Sequence, residues 1–212
     1  MKIIFAVFSH PDDCELWAAG ILKKHINMGD TVRAFFFHQL TDKRIEESRR
    51  ALAILGVSPV FIHTPDYELP DFENFISLTK NEIPDIIISH WDDDTHLEHR
   101  LIFEHTLHFA HYLKRYRKLT PIFLMASTYF MSGRHKNFRP SVIFDISPHI
   151  EQKIEAIKCH VSQKPAFLLD DIMSQNRIFG KQVGVAYAEG FMEYPLFGFK
   201  RTALRNDLSD LL

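Results

Sequence analysis

The sequence is poor in cysteine and lacks an excess of charge of either sign. It has two cysteines, Cys14 and Cys159, among 212 residues, and 25 basic against 27 acidic residues, which gives a net charge of −2. Two cysteines at this distance build neither a disulfide framework nor a thiolate metal site, so we expect a reducing compartment and place the protein in the cytoplasm. The balanced charge gives no electrostatic basis for nucleic-acid binding.

Long apolar runs and glycine-rich nucleotide motifs are also absent. No apolar stretch approaches the roughly 20 residues that a transmembrane helix needs, and the apolar segment 3–8 is too short for a signal peptide. Neither membrane insertion nor secretion is therefore expected. The polar segment after the first apolar run has no GxGxxG pattern, and the chain has no P-loop, so nothing implies NAD or ATP.

Short apolar runs alternate with helical patterns along the chain. The predicted strands cover residues 3–8, 31–37, 60–62, 86–88, 123–130 and 141–145, and the predicted helices cover 13–28, 46–55, 71–81, 95–112, 150–160 and 176–189. Strands that alternate with helices pair in parallel through right-handed crossovers. The sequence predicts the α/β class: a single Rossmann-like domain over residues 1–212, with a doubly wound, mostly parallel sheet and helices on both faces.

Two polar clusters follow predicted strands. The segment 9–13 reads Ser-His-Pro-Asp-Asp, and the segment 92–99 reads Asp-Asp-Asp-Thr-His-Leu-Glu-His. The carboxyl ends of parallel strands meet at one edge of a sheet, where ligands bind. Imidazole and carboxylate together suit zinc, which also needs an open position for water when it is catalytic. The two clusters therefore predict one metal site with carboxylates left over for proton transfer.

Helix capping is the alternative interpretation of these clusters. Asp12 and Asp13 stand at a predicted helix start, where carboxylates accept free backbone N–H groups. Thr95 and Glu98 have the spacing of a capping box. Capping accounts for none of the histidines, however, and this favours the metal site.

The motifs His10-Pro11-Asp12-Asp13 and Asp94-x-His96-x-Glu98-His99 resemble the two signature motifs of the PIG-L (LmbE-like) zinc-dependent N-deacetylases. Weaker matches follow the same order along the chain and extend the resemblance to about residue 191. The segments 179–181 and 187–191 are similar to the branch that deacetylates N-acetylglucosaminyl-malate in bacillithiol synthesis.

The resemblance implies a Zn²⁺ cofactor held by His10, Asp13 and His99. It also implies that Asp12 is the general base, which takes a proton from the attacking water, and that His96 is a donor to the oxyanion.

The resemblance gives supporting roles to three further residues. Asp94 would orient a ligand histidine, and Glu98, which stands where the family usually has aspartate, would hold His96 in the required tautomer. Arg44 would bind a carboxylate or phosphate of the substrate, and its alternative is a helix-surface arginine.

The implied activity is removal of the acetyl group from an N-acetylglucosamine-type amino sugar or its conjugate, by an enzyme that forms a homo-oligomer. Two alternatives stay open: an amidase that acts on a larger N-acyl group or a thiol conjugate, and a non-catalytic metal-binding module of the same fold. Thr95 and the segment 37–41 depart from the bacillithiol branch at positions that affect substrate recognition, so the malate conjugate is not assigned.

Overall fold

The computed structural model describes residues 1–196, and the end of the predicted domain, residues 197–212, lies outside this range. One seven-stranded sheet has the order β3-β2-β1-β4-β5-β7-β6. Its members are β1 Ile3–Val7, β2 Thr31–Phe36, β3 Ser58–Phe61, β4 Ile86–Ser89, β5 Ile122–Ala126, β6 Val142–Asp145 and β7 Ala188–Glu193. The first five strands pair in parallel, and β7 pairs antiparallel with both β5 and β6.

Within residues 1–196, seven α-helices cover the two faces of this sheet. They are α1 Asp13–Trp17, α2 Ala19–Asn27, α3 Asp42–Leu55, α4 Phe72–Leu78, α5 Leu97–Tyr112, α6 Ile150–Lys158 and α7 Pro165–Val183. Alternate side chains of β1 point to opposite faces: Ile4 and Ala6 pack with α1, α2, α3 and α6, and Phe5 and Val7 pack with α4 and α5. The predicted doubly wound, mostly parallel α/β fold is confirmed.

The helix predicted over residues 13–28 is wrong in one respect, because it breaks at Ala18 (φ −139°, ψ 2°) into α1 and α2. The carboxylate of Glu189 on β7 accepts the N–H groups of Gly20 and Ile21, at 2.9 Å each, and so caps the start of α2. A Cβ atom on Gly20 would lie 2.4 Å from the Ile146 side chain, so only glycine fits there. The break thus depends on residues far along the chain.

The helix predicted over residues 176–189 is also wrong at both ends. Helix α7 starts at Pro165 and ends before Gly184, which has a φ of 78° that favours glycine. The last predicted helical residues, from Ala188 onward, belong to β7 instead. The local pattern suits either structure, and pairing with β5 and β6 selects the strand.

A buried ion pair connects α6 with this capping carboxylate. Lys153 Nζ lies 2.7 Å from Glu189 Oε1 and 2.8 Å from the carbonyl oxygen of Leu16, and both charged side chains are at most 1% exposed. We expect Glu189→Ala to lower the free energy of unfolding by about 3–5 kcal/mol, since it leaves the Lys153 ammonium buried without its counter-charge. Urea unfolding measures this change. Glu155→Gln, at an exposed position on α6, is the control, and an equal loss in both variants would contradict the prediction.

Candidate metal centre

The two polar clusters lie where strand β1 and strand β4 end side by side. From β1 the sheet continues to β2 on one side and to β4 on the other, so the strand order reverses at this point. Such a reversal opens a crevice at the carboxyl ends of the strands, which is the usual ligand position in an open α/β sheet. The segment after β1 and the segment that leads from β4 into α5 face each other across this crevice, and His10 meets His99 there.

The three predicted metal ligands form a small triangle. His10 Nδ1 is 3.2 Å from His99 Nε2 and 3.2 Å from Asp13 Oδ2, and His99 Nε2 is 3.4 Å from Asp13 Oδ1. Tetrahedral zinc with ligands at 2.0–2.2 Å separates its ligand atoms by about 3.3 Å. All three side chains are buried. The donor types fit a divalent metal ion, and Asp13 faces His10 through Oδ2 and His99 through Oδ1.

Each histidine of the triangle gives its other ring nitrogen to a carboxylate. His99 Nδ1 donates to Asp94 Oδ2 at 2.9 Å, and His10 Nε2 donates to Glu98 Oε2 at 2.7 Å. This is the arrangement that fixes the ring orientation of histidine ligands in metal sites. Asp94 also accepts the backbone N–H of His96 at 2.8 Å, which anchors the loop that leads into α5.

Opposite charges within the cluster, more than burial, set the direction of the pKa shifts of His99 and Asp13. Burial alone lowers the pKa of His99, but the carboxylates of Asp13 and Asp94 raise it to about 10. Burial raises the pKa of Asp13, and the neighbouring imidazoles, His99 first, hold it well below its usual range. The carboxylates of the cluster would therefore compensate the charge of a cation, and a metal ion bound by His99 would replace a proton.

Glu98 contacts a different histidine from the one that the resemblance implies. Its Oε2 atom lies 2.7 Å from His10 Nε2 and 4.0 Å from His96 Nδ1, and its Oε1 atom accepts the backbone N–H of Tyr67 at 3.1 Å. Burial raises the pKa of Glu98, and the hydrogen bonds from His10 and Tyr67 lower it to about 2. The capping-box alternative for Thr95 and Glu98 is wrong, because α5 begins after His96 and no side chain caps it.

His96 is the accessible imidazole of the site. Its side chain is 43% exposed, and its ring lies 4.9 Å from that of His10 and 4.6 Å from that of His99, between centroids. Burial, together with the charges of His99 and His10, lowers its pKa. A neutral imidazole at the edge of the triangle is placed to contact a ligand that enters from solvent.

Asp12 lies beside the triangle but outside it. Its Oδ1 atom accepts a hydrogen bond from Arg44 Nη2 at 2.8 Å, and both residues are buried. The alternative interpretation of Arg44 as a helix-surface arginine is therefore wrong. Helix capping does not explain Asp12 either, since its side chain makes no capping hydrogen bond, and Asp13 Oδ2 accepts the N–H of His10, not that of a helix residue.

Sequence reasoning missed His90. It directly follows β4, is fully buried, and stacks on the ring of His99 with centroids 3.8 Å apart. Its Nε2 atom accepts the Ser9 N–H at 2.9 Å and lies 3.3 Å from Asp13 Oδ2. Burial and the charge of His99 lower its pKa to about 4, so this ring is neutral. The available signal was its position as the first residue after the strand, two places ahead of the acidic run.

Gln39 follows β2 and belongs to the segment 37–41, which the sequence connects with substrate recognition without giving Gln39 itself a role. Its side chain contacts both Arg44 and Glu98, so it touches the partners of both motifs.

Among the described residues, 1–196, no helix is both long and apolar enough to cross a membrane.

Comparison with known proteins supplies independent information about the chain. Residues 5–110, half of the sequence, match the family model described as PIG-L: GlcNAc-PI de-N-acetylase, and this range includes both polar clusters. The chain is 26% identical over 226 residues to the diacetylchitobiose deacetylase of Thermococcus kodakarensis, across 92% of this chain and 84% of that protein.

Two solved structures show the same fold. The N,N'-diacetylchitobiose deacetylase of Pyrococcus horikoshii aligns with a TM-score of 0.75 and 23% identity, over 97% of this chain and 88% of that one. GalB, the 4-carboxy-2-hydroxymuconate hydratase of Pseudomonas putida KT2440, aligns with a TM-score of 0.80 and 20% identity, over 95% and 98%. A deacetylase and a hydratase share this architecture, so the reaction has to be argued from the site.

Proposed function

Because the chain belongs to the PIG-L family, we propose that it is a metal-dependent N-deacetylase of an N-acetylglucosamine-type amino sugar or its conjugate. The products are acetate and a free amine. The observation that carries this proposal is the position of Asp12, a buried carboxylate next to the triangle of His10, Asp13 and His99 but not part of it. A site that only held a metal would have no use for such a base. The similarity to a protein named diacetylchitobiose deacetylase supports the amino-sugar substrate.

We propose Zn²⁺ as the ion that His10, Asp13 and His99 hold. Two imidazoles and one carboxylate suit this ion, and each histidine donor lies 3.2–3.4 Å from an oxygen of Asp13. When bound, it supplies a Lewis acid that activates water and polarises the amide carbonyl. Asp94 and Glu98 keep the two ligand rings in position through the nitrogens that face away from the triangle.

The protein's own groups handle the protons. Asp12 accepts a proton from the attacking water and returns it to the amide nitrogen as the C–N bond breaks. Its hydrogen bond from Arg44 fixes the direction of the carboxylate. His96, the exposed imidazole, donates a hydrogen bond to the oxygen that gains negative charge in the transition state.

Amine release from a small panel of sugars tests the proposal. The panel contains N-acetylglucosamine, N,N'-diacetylchitobiose and N-butyrylglucosamine, each assayed with zinc-loaded and with chelator-treated protein. Release from the acetyl sugars that requires the metal supports the deacetylase. Faster release from the butyryl sugar would favour an amidase for larger acyl groups, and zinc binding without any release would favour a metal-binding module.

The predicted homo-oligomer and the cytoplasmic location accompany this proposal. Sedimentation velocity of the full chain tests the first, and a single species at the monomer mass of 24.8 kDa would refute it.

A further inference from the structure

Gln39 is the exposed member of a chain of polar contacts that crosses the site. Its Oε1 atom accepts a hydrogen bond from Arg44 Nη1 at 2.5 Å, and its Nε2 atom donates to Glu98 Oε2 at 3.3 Å. Arg44 in turn binds Asp12, and Glu98 binds His10. One solvent-facing amide therefore connects the residue that holds the proposed base with the residue that holds a proposed metal ligand.

The neighbours of the Gln39 side chain favour an amide at this position. Its side chain faces a donor on one side, the Arg44 guanidinium, and an acceptor on the other, the Glu98 carboxylate. Glutamine presents both an acceptor and a donor at one end of a chain of this length. A glutamate here would repel Glu98, and a lysine would repel Arg44.

The backbone at Gln39 is held in an uncommon conformation. Its φ of 52° lies in the left-handed region, which few residues other than glycine adopt. Such conformations persist where the surrounding contacts fix them, and they concentrate at ligand sites. The exposed loop thus retains a strained residue whose side chain turns back toward the site.

The amide of Gln39 also binds one of the guanidinium nitrogens, Nη1, through which Arg44 could bind a substrate. Nη2 of Arg44 is taken by Asp12 and Nη1 by Gln39, and Nε is buried without a partner. Arginine binds a carboxylate best through two parallel N–H groups. A substrate carboxylate that binds this guanidinium through two parallel N–H groups would compete with Gln39 for Nη1, and it would approach the negative charges of Asp12 and Glu98.

We propose that Gln39 is a specificity determinant: its amide covers Arg44 and makes the site select uncharged N-acetyl sugars over those that carry a carboxylate. This inference rests on the proposed function, because it concerns the sugar that occupies the same site. It also makes Arg44 a residue that orients Asp12, in place of the predicted anchor for a substrate carboxylate or phosphate.

The test measures binding of two deacetylated sugars that differ by a carboxylate. Glucosamine is uncharged apart from its amine, and muramic acid adds a lactyl carboxylate; neither is turned over. Isothermal titration of the zinc-loaded protein gives the ratio of their dissociation constants. In Gln39→Ala we expect the ratio to shift toward muramic acid by about 10-fold, the effect of one charge-assisted hydrogen bond. In Gln39→Glu we expect a shift the other way.

Two controls separate the amide from its surroundings. Gln39→Gly removes the amide and also relieves the left-handed φ, so it should shift the ratio as much as Gln39→Ala. Lys43→Ala, which removes an exposed cation next to Arg44, should leave the ratio unchanged within two-fold. An unchanged ratio in both Gln39→Ala and Gln39→Gly would overturn the inference, as would a failure of all forms to bind either sugar.

Failure of the proposed function gives a different result. A wild-type protein that releases no amine from any sugar of the panel would refute the deacetylase. The ratio of the two dissociation constants would still decide whether Gln39 selects against a carboxylate.

Discussion

Replacing Asp12 with asparagine is expected to lower kcat for amine release by about 10²–10⁴-fold, the contribution of a positioned general base. Asparagine has nearly the same shape, and its carbonyl oxygen still accepts the hydrogen bond from Arg44 Nη2. What it loses is the ability to take a proton. Zinc content and thermal stability should therefore stay close to those of the wild type, and KM should change little. Initial rates together with metal analysis by mass spectrometry measure these quantities.

A neighbouring acid provides the control for this variant. Asp92 belongs to the same acidic run as Asp94 but pairs with Lys136 at 3.3 Å, away from the triangle. Asp92→Asn should keep its rate within about two-fold, as surface substitutions usually do. If Asp12→Asn kept wild-type kcat with zinc bound, Asp12 would not be the base, and the proton would have to be taken by another group, with His96 the next candidate to test.

Replacing His10 with alanine is expected to abolish measurable zinc binding and, with it, amine release. The change removes one corner of the triangle and leaves the Glu98 carboxylate without its 2.7 Å partner. Loss of an outer partner of a metal ligand already costs 10–100-fold in affinity, and loss of a ligand costs more. Zinc affinity is measured by competition with a chromophoric chelator.

A graded pair of variants distinguishes ligation from general damage. Glu98→Gln keeps the shape of the side chain but weakens its contact with His10, and we expect about 10–100-fold weaker zinc binding with the fold intact. His111→Ala, at an exposed position near the end of α5, should bind zinc normally. Zinc affinity at the wild-type level in His10→Ala would refute the ligand set, and equal losses in all three variants would point to unfolding.

The parallel half of the sheet could be predicted because its signals are local. Runs such as residues 86–88 are apolar throughout, as expected for a strand that is buried on both faces, and the polar residues that follow mark the edge where the site forms. The ligand motifs were found for the same reason, since each is contiguous in sequence. Strand β7 was missed because its pattern also suits a helix, and only its pairing with β5 and β6 decides the matter.

The connections within the site could not be read from the sequence, because they join residues that are far apart. Glu98 stands two positions from His96, yet the fold turns its carboxylate to His10, 88 residues away. Arg44 reaches Asp12 from helix α3, 32 residues along the chain. Gln39 and His90 have no motif of their own, and their importance follows only from the partners that the crevice brings to them.

The capping of α2 by Glu189 has a consequence for the order in which the protein is made. The bond from Gly20 to Glu189 spans 169 residues, so the ribosome has to add 169 residues after Gly20 before that cap exists. Until then, the N–H groups of Gly20 and Ile21 and, once it is made, the Lys153 ammonium lack the Glu189 carboxylate that they bind in the folded protein. Contacts of such long sequence separation form late and slowly. The first motif, with His10 and Asp13, therefore lacks this support until residue 189 has been synthesised.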